Sequence, residues 1–170
     1  MNFNTSTIGL LNAIALMPRL LMASSLILSV ATLSSRPALA QLRGDLTVEI
    51  NGLNDRGGDV CLSLFNSSQG FPSDPQRAIN VACVTISAEP LRVTFDDLTY
   101  GSYAIAAYHD KNMDQQLNQG ILGIPIEGFA FSNDAPAQTG PASFQDAVFI
   151  LSQRNATIQM QMRYLGLGSH

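Results

Sequence analysis

Leu98-Thr99-Tyr100-Gly101-Ser102-Tyr103 is the stretch on which the fold turns. Before it, Leu91, Val93 and Phe95 alternate with Arg92, Thr94 and Asp96, the period of a strand with one buried face. After it, residues 101–109 read as a strand of small residues that carries Tyr103 and Tyr108. A hydrophobic residue, a glycine turn and a tyrosine at a strand's first positions suit a corner at which the chain enters a central strand. Glycine relieves the tight turn, and tyrosine buries its ring while satisfying its hydroxyl at the sheet corner.

The same period recurs on either side. Leu46, Val48 and Ile50 alternate with Thr47, Glu49 and Asn51. Asn54-Asp55-Arg56-Gly57-Gly58 is turn chemistry and leads into a strand at Asp59–Phe65. Further strands are predicted over residues 81–86, 147–151 and 157–164; in the last, Ile158, Met160, Met162 and Tyr164 face inward against Gln159, Gln161 and Arg163. No part of residues 41–170 carries a helical period. About seven short strands at this spacing predict an all-β fold, a single two-sheet Greek-key β-sandwich over residues 41–165, with a frayed end at 166–170. The corner at 98–103 resembles the entry to the central strand in prealbumin-like and carboxypeptidase-regulatory-like sandwiches, which implies a prealbumin-like type.

The two cysteines fit that pattern. In the strand at 59–65, Val60, Leu62 and Leu64 share one face and Cys61 lies opposite with Ser63. In 81–86, Ala82, Val84 and Ile86 share a face and Cys83 lies opposite with Thr85. Both thiols point away from the core side, as a disulfide between neighbouring strands requires. Pairing is the default in an oxidising compartment, two reduced buried thiols being the alternative. A zinc site of cysteines alone would lack two of its four ligands.

Export is read from residues 1–40. Residues 20–33 form an uncharged apolar run, Arg19 precedes it, and Ala38-Leu39-Ala40 offers the small-x-small pattern of signal peptidase. The run is shorter than the roughly twenty residues that span a bilayer. Cleavage after Ala40 would leave Gln41 at the terminus, and Met17-Pro18-Arg19 would make a compact basic start if Met17 initiates. No cysteine follows closely enough for a lipid anchor. The expectation is an exported protein, periplasmic or extracellular, with no membrane anchor after processing. Residues 41–170 then carry thirteen acidic side chains against seven basic ones, about −6 in all. Such a balance, with its basic residues scattered, argues against nucleic acid and against anionic lipid as partners.

Between two predicted strands lies a long segment, residues 109–147, nearly half of it Asn, Asp, Gly, Pro and Gln, without periodicity. Loops of that length are uncommon in compact domains and are usually functional or disordered. Asp110-x-Asn112-x-Asp114-x-Gln116-x-Asn118 sets oxygen side chains at alternate positions, as calcium loops do. Asp110, Asn112 and Asp114 match the first three ligand positions. Ile121 replaces the distal bidentate Glu, so another ligand would come from Glu127, Asp134 or Asp146. A solvated turn, whose Asp and Asn bond their own backbone, fits the same residues. His109 is the one internal histidine. Beside Asp110 it could act as general base or metal ligand, or as a structural residue bonding a loop carbonyl. No Gly-x-Ser-x-Gly elbow accompanies it. Phe129, Phe131, Phe144 and Phe149 with Ile124, Pro125 and Ile126 would line an apolar pocket or form a minor core under the loop. Gly70-Phe71-Pro72-Ser73-Asp74-Pro75 reads as a rigid connector with Phe71 packed beneath it, and Asn155-Ala156-Thr157 fits the glycosylation pattern.

Taken in order, Gly70-Phe71-Pro72, His109-Asp110, Leu122-Gly123-Ile124-Pro125, Phe131-Ser132-Asn133 and Gly140-Pro141-x-Ser143-Phe144-x-Asp146-Ala147 resemble domain-of-unknown-function family 2141 over roughly residues 45–164. The resemblance implies an exported, prealbumin-like β domain from a family without an established activity. Typical members have Gly where this chain has Gln115 and Asp where it has Asn118. The terminal Arg163-Tyr164-Leu165-Gly166 departs from the Tyr-Arg-Gly-Ser end of the prealbumin-fold purine-pathway hydrolases. Two functions follow as expectations. The first is a non-enzymatic binding or structural module, whose long loop, with His109, Asn133, Phe144 and Asp146, meets a small-molecule, glycan or protein ligand. The rival is a secreted metal-dependent hydrolase using His109 and Asp110.

Overall fold

A computed structural model describes residues 42–165. The signal peptide predicted over residues 1–40 and the fraying predicted over 166–170 lie outside the described residues. Within them the fold is all-β, with eight strands: β1 (Arg43–Asn51), β2 (Asp59–Phe65), β3 (Asn80–Thr85), β4 (Leu91–Thr99), β5 (Gly101–Asp110), β6 (Phe129–Phe131), β7 (Phe149–Leu151) and β8 (Asn155–Gln161). One sheet runs β4-β1-β8, with β1 antiparallel to β4 and parallel to β8. The other runs β3-β2-β5-β6, antiparallel throughout, and β7 also pairs with β5.

Alternation along each strand explains why the two sheets stack. Leu46, Val48 and Ile50 of β1 meet Val60, Leu62 and Leu64 of β2, and Val93 and Phe95 of β4 meet Tyr103 and Ile105 of β5, in one core. Burying such a side chain stabilises by about 1.5–3 kcal/mol, which makes the register hard to slip. The far face of the second sheet is covered as well. Ala104 and Ala106 of β5 lie under Phe129, Phe131 and Phe144 in a second cluster, joined by Phe71 of the connector. Phe71 meets Phe65 and Phe144 edge-on, with centroids 5.3 and 5.8 Å apart.

The corner at residues 98–103 forms as expected in its tyrosine and differs in its glycine. Tyr103 is buried and its hydroxyl donates to the Thr99 carbonyl at 2.5 Å, tying the first turn of β5 to the end of β4. Gly101, however, is not in the left-handed region, and a Cβ there would meet nothing nearer than 3.9 Å. Tyrosine, not glycine, holds the corner.

Several boundaries also differ from the sequence reading: β3 runs Asn80–Thr85 rather than 81–86, and β7 begins at Phe149 rather than 147 because Phe144–Ala147 forms a helical turn. β6 arises inside the segment read as aperiodic, because three residues are too few for a period to register. The last strand stops at Gln161, after which the chain crosses to the other sheet and Arg163 exchanges two backbone hydrogen bonds of 2.9 Å with Phe129. Cys61 and Cys83 are bridged, directly opposite in the β2–β3 register with Cα atoms 4.0 Å apart.

Candidate functional site

β5 ends in His109-Asp110, and strand alternation sends these neighbours to opposite faces of the sheet. His109 points toward the core and is 2 % exposed. Its Nε2 lies 2.6 Å from the Gly57 carbonyl, to which it donates, and its Nδ1 lies 2.7 Å from the Tyr164 hydroxyl. In the neutral ring this fixes the tautomer: Tyr164 donates to Nδ1, while its oxygen accepts the Asn54 amide at 3.2 Å. Both ring nitrogens are thereby engaged inside the protein. The Tyr164 ring packs against Gly128, where a Cβ would stand 2.5 Å from Cε1. Burial raises the Tyr164 phenol above its ordinary value. At the rim of this network, Asp55 bonds the Lys111 ammonium at 2.6 Å and the Gly57 amide at 2.9 Å, and these bonds hold its carboxyl below the usual 3.8.

Asp110 points the other way, is 1 % exposed, and organises the loop that follows. Its Oδ1 accepts the Asp114 amide at 3.0 Å and its Oδ2 the Gln115 amide at 2.7 Å. Glu127, 8 % exposed, closes the loop's two sides: Oε1 accepts the Lys111 amide at 3.0 Å and Oε2 the Asn118 amide at 2.9 Å. Two buried carboxylates thus satisfy four loop amides, each bond strengthened by the ionised acceptor. Burying a carboxylate is costly without such partners, so the loop and the charges stabilise each other. The same carboxylates bear on Tyr108, whose phenol is pushed up to about 12 by burial first, then by Asp110, Asp114 and Glu127.

Asp114 is the exposed hub of the turn. Its Oδ1 accepts the Gln116 amide, and its Oδ2 accepts the side-chain amides of Asn112 at 2.8 Å and Asn118 at 3.0 Å. The Asn118 and Asn112 bonds, in that order, hold its carboxyl below the usual 3.8. Asp110, Asn112 and Asp114 therefore do come together, bonded to one another and to the backbone. A calcium ion at this turn would have to displace the Asn112 and Asn118 amides from Asp114 to gain its oxygens. Of the further ligands considered, Glu127 serves the loop amides, Asp134 accepts the Gln161 amide at 2.9 Å, and Asp146 accepts from the Ser143 hydroxyl at 2.7 Å. Among the described residues no three His, Cys, Asp or Glu side chains converge as a metal-holding group.

Beyond Asn118 the loop becomes a short hairpin, with Ile126 N–H to Asn118 C=O at 3.0 Å and Gly120 N–H to Ile124 C=O at 2.8 Å. Its end carries Ile121 and Leu122, which are 89 and 90 % exposed, and Leu122 adopts φ 66°. Ile124 and Ile126 are exposed too, so they take no part in the aromatic cluster with which the sequence had grouped them. Phe149 also leaves that group, packing against the main core beside Tyr103.

The second half of the segment is structural in its contacts. Fully buried Ser132 accepts the Ile105 amide at 2.9 Å and donates to the Ala147 carbonyl at 2.6 Å. Asn133, at φ 58°, donates to the Val148 carbonyl at 2.6 Å. Ser143 caps the single helical turn Phe144–Ala147 by accepting the Asp146 amide, and Phe144 packs on Phe71. Arg163 reaches the carbonyls of Ala135 and Asp134. Glu127, Tyr164 and Lys111 are the residues whose roles the sequence did not reveal. Glu127 left a signal as the one charge in the otherwise uncharged run 115–133, and Tyr164 left one as an inward position in the alternation of 157–164.

Fold and site together define a two-sheet β-sandwich whose central strand launches a carboxylate-clamped loop. The family model described as "Uncharacterized protein conserved in bacteria (DUF2141)" matches residues 48–159, and the chain belongs to that family. No curated protein and no solved structure matches it.

Proposed function

We propose that this protein is an exported, non-enzymatic binding module that uses the loop over residues 111–127 as its working face. One observation carries the reading: two buried carboxylates, Asp110 and Glu127, are spent on four loop amides, so the loop is held in shape before any ligand arrives. Pre-organisation of this kind lowers the ordering cost of binding. The rival hydrolase needs His109 and Asp110 to act on one water. They face opposite sides of the sheet, and each ring nitrogen and carboxylate oxygen already has a partner within the chain. The ligand class is a small molecule, glycan or protein. Purified protein should turn over no ester, peptide or glycan substrate, and immobilised protein should retain a ligand that a Leu122→Asn variant loses. Turnover abolished by His109→Gln in a folded variant would contradict the reading.

Calcium is the second reading, carried by the convergence of Asp110, Asn112 and Asp114 on one turn. Hard oxygen donors suit it, and an exported protein meets the high calcium that a weak site needs, with Kd on the order of 10⁻⁴–10⁻³ M. Millimolar calcium should raise the melting temperature and magnesium should raise it less. Asp114→Ala should abolish the rise, and a curve indifferent to calcium would leave the loop to its own hydrogen bonds.

A further inference from the structure

The loop's far end presents a surface that the fold leaves uncovered. Ile121, Leu122, Ile124 and Ile126 are 89, 90, 48 and 63 % exposed, on a hairpin whose shape is fixed at its base by Glu127. Exposed apolar clusters of this kind mark binding or membrane sites more often than chance. Leu122 sits in the left-handed region, where Gly or Asn would be at ease, so a large apolar side chain occupies the tip at some cost in strain.

Three observations indicate what covers it. From Gln115 to Ile126 the chain has twelve residues without a charge, in a protein whose residues 41–170 carry about −6. Near-complete exposure of two adjacent side chains describes a protrusion, which a second identical protrusion cannot enclose. Four aliphatic side chains also offer only about 400 Å², at roughly 100 Å² each, against the ~800 Å² per partner of a stable protein interface. Finally, the tip's backbone is partly provided for. The amides of Gly120, Gly123 and Ile126 are bonded across the turn and Pro125 has none, which eases transfer to a medium poor in hydrogen-bond partners. A fluid apolar layer fits a convex, uncharged tip whose backbone is partly hydrogen-bonded.

We propose that the hairpin tip at Ile121-Leu122 inserts into the interfacial layer of a zwitterionic lipid bilayer, docking the exported protein on a membrane surface. The proposal rests on the loop being the binding face, and gives that face a lipid partner beyond the small-molecule, glycan or protein classes. Insertion is shallow and reversible, because only a few side chains leave water. Acidic lipid weakens it, since the protein is acidic and the tip offers no cation to compensate.

Flotation of the exported protein with phosphatidylcholine vesicles tests this. Wild type should float with the vesicles at millimolar lipid, insensitive to salt, and less when phosphatidylglycerol is added. Leu122→Asn, which suits the left-handed turn and so preserves the fold, should reduce partitioning by about tenfold or more. Ile121→Ser should do likewise, and Leu122→Phe should bind at least as well as wild type. Absence of flotation, flotation unchanged in both polar variants, or binding that grows with phosphatidylglycerol and vanishes in salt would each overturn the proposal. If vesicles fail yet Leu122→Asn still loses a captured soluble ligand, the loop remains the binding face and only the bilayer is wrong; if Leu122→Asn affects neither, both readings fall.

Discussion

At the scale of single residues, the loop is governed by where four carboxylates find their partners. Asp110 and Glu127 are buried and fully engaged by backbone amides, whereas Asp55 and Asp114 stand at the surface with their carboxyls held below the usual 3.8. For Asp55 the Lys111 ammonium is the main cause, and for Asp114 the Asn118 amide. A folded-state value below the unfolded one means that the ionised form favours folding. Its contribution is complete above the unfolded value and is lost as pH falls through the folded one. The urea midpoint should therefore hold steady from pH 7 to about 5 and decline below about 4, and Asp114→Asn should flatten part of that decline. A midpoint that rises on acidification would reverse the assignment. Glu127 differs in kind, because its partners are backbone groups. Glu127→Gln would turn an NH₂ toward one of them, at a cost of about 1–3 kcal/mol.

At the scale of elements, the strands were legible because burial on one face writes itself as a period of two. β2 is read at its observed limits, and β1 and β4 carry the same alternation of apolar and polar residues. The disulfide was legible for the same reason: Cys61 and Cys83 each fall on the face opposite the core residues of adjacent strands. Closing a loop of sequence separation 22 should stabilise by about 3 kcal/mol. A Cys61→Ala/Cys83→Ala double variant should accordingly fold with a lower midpoint in urea, and unreduced wild-type protein should resist thiol labelling. Full labelling without reductant would refute the bridge. β6 is not legible because Phe129-Ala130-Phe131 is too short to show a period, nor is the hairpin at 118–126, because its order comes from a carboxylate nine residues from Asn118. At the sheet corner the tyrosine was legible, since its hydroxyl bonds the Thr99 carbonyl, whereas Gly101 has no left-handed φ to explain it.

At the scale of the whole molecule, the sandwich acts as a rigid base from which β5 projects a shaped loop. Sequence alone brought Asp110, Asn112 and Asp114 together, because alternation and turn chemistry are local. It could not show that His109 faces away from Asp110 into a network with Tyr164, fifty-five positions later, nor that Ile121 and Leu122 face solvent, since both depend on where distant segments cross. The core and the loop meet at Lys111, whose amide is held by Glu127 and whose ammonium is held by Asp55. The central claim is that Asp110 and Glu127 fold this loop in advance of any ligand, and native-state hydrogen exchange tests it most directly. In protein without ligand, the amides of Lys111, Asp114, Gln115 and Asn118 should exchange at least a hundredfold more slowly than in an unstructured chain, and Glu127→Gln should release Lys111 and Asn118 ahead of the core strands. Exchange of these four amides at the unstructured rate in the wild-type protein would contradict the account.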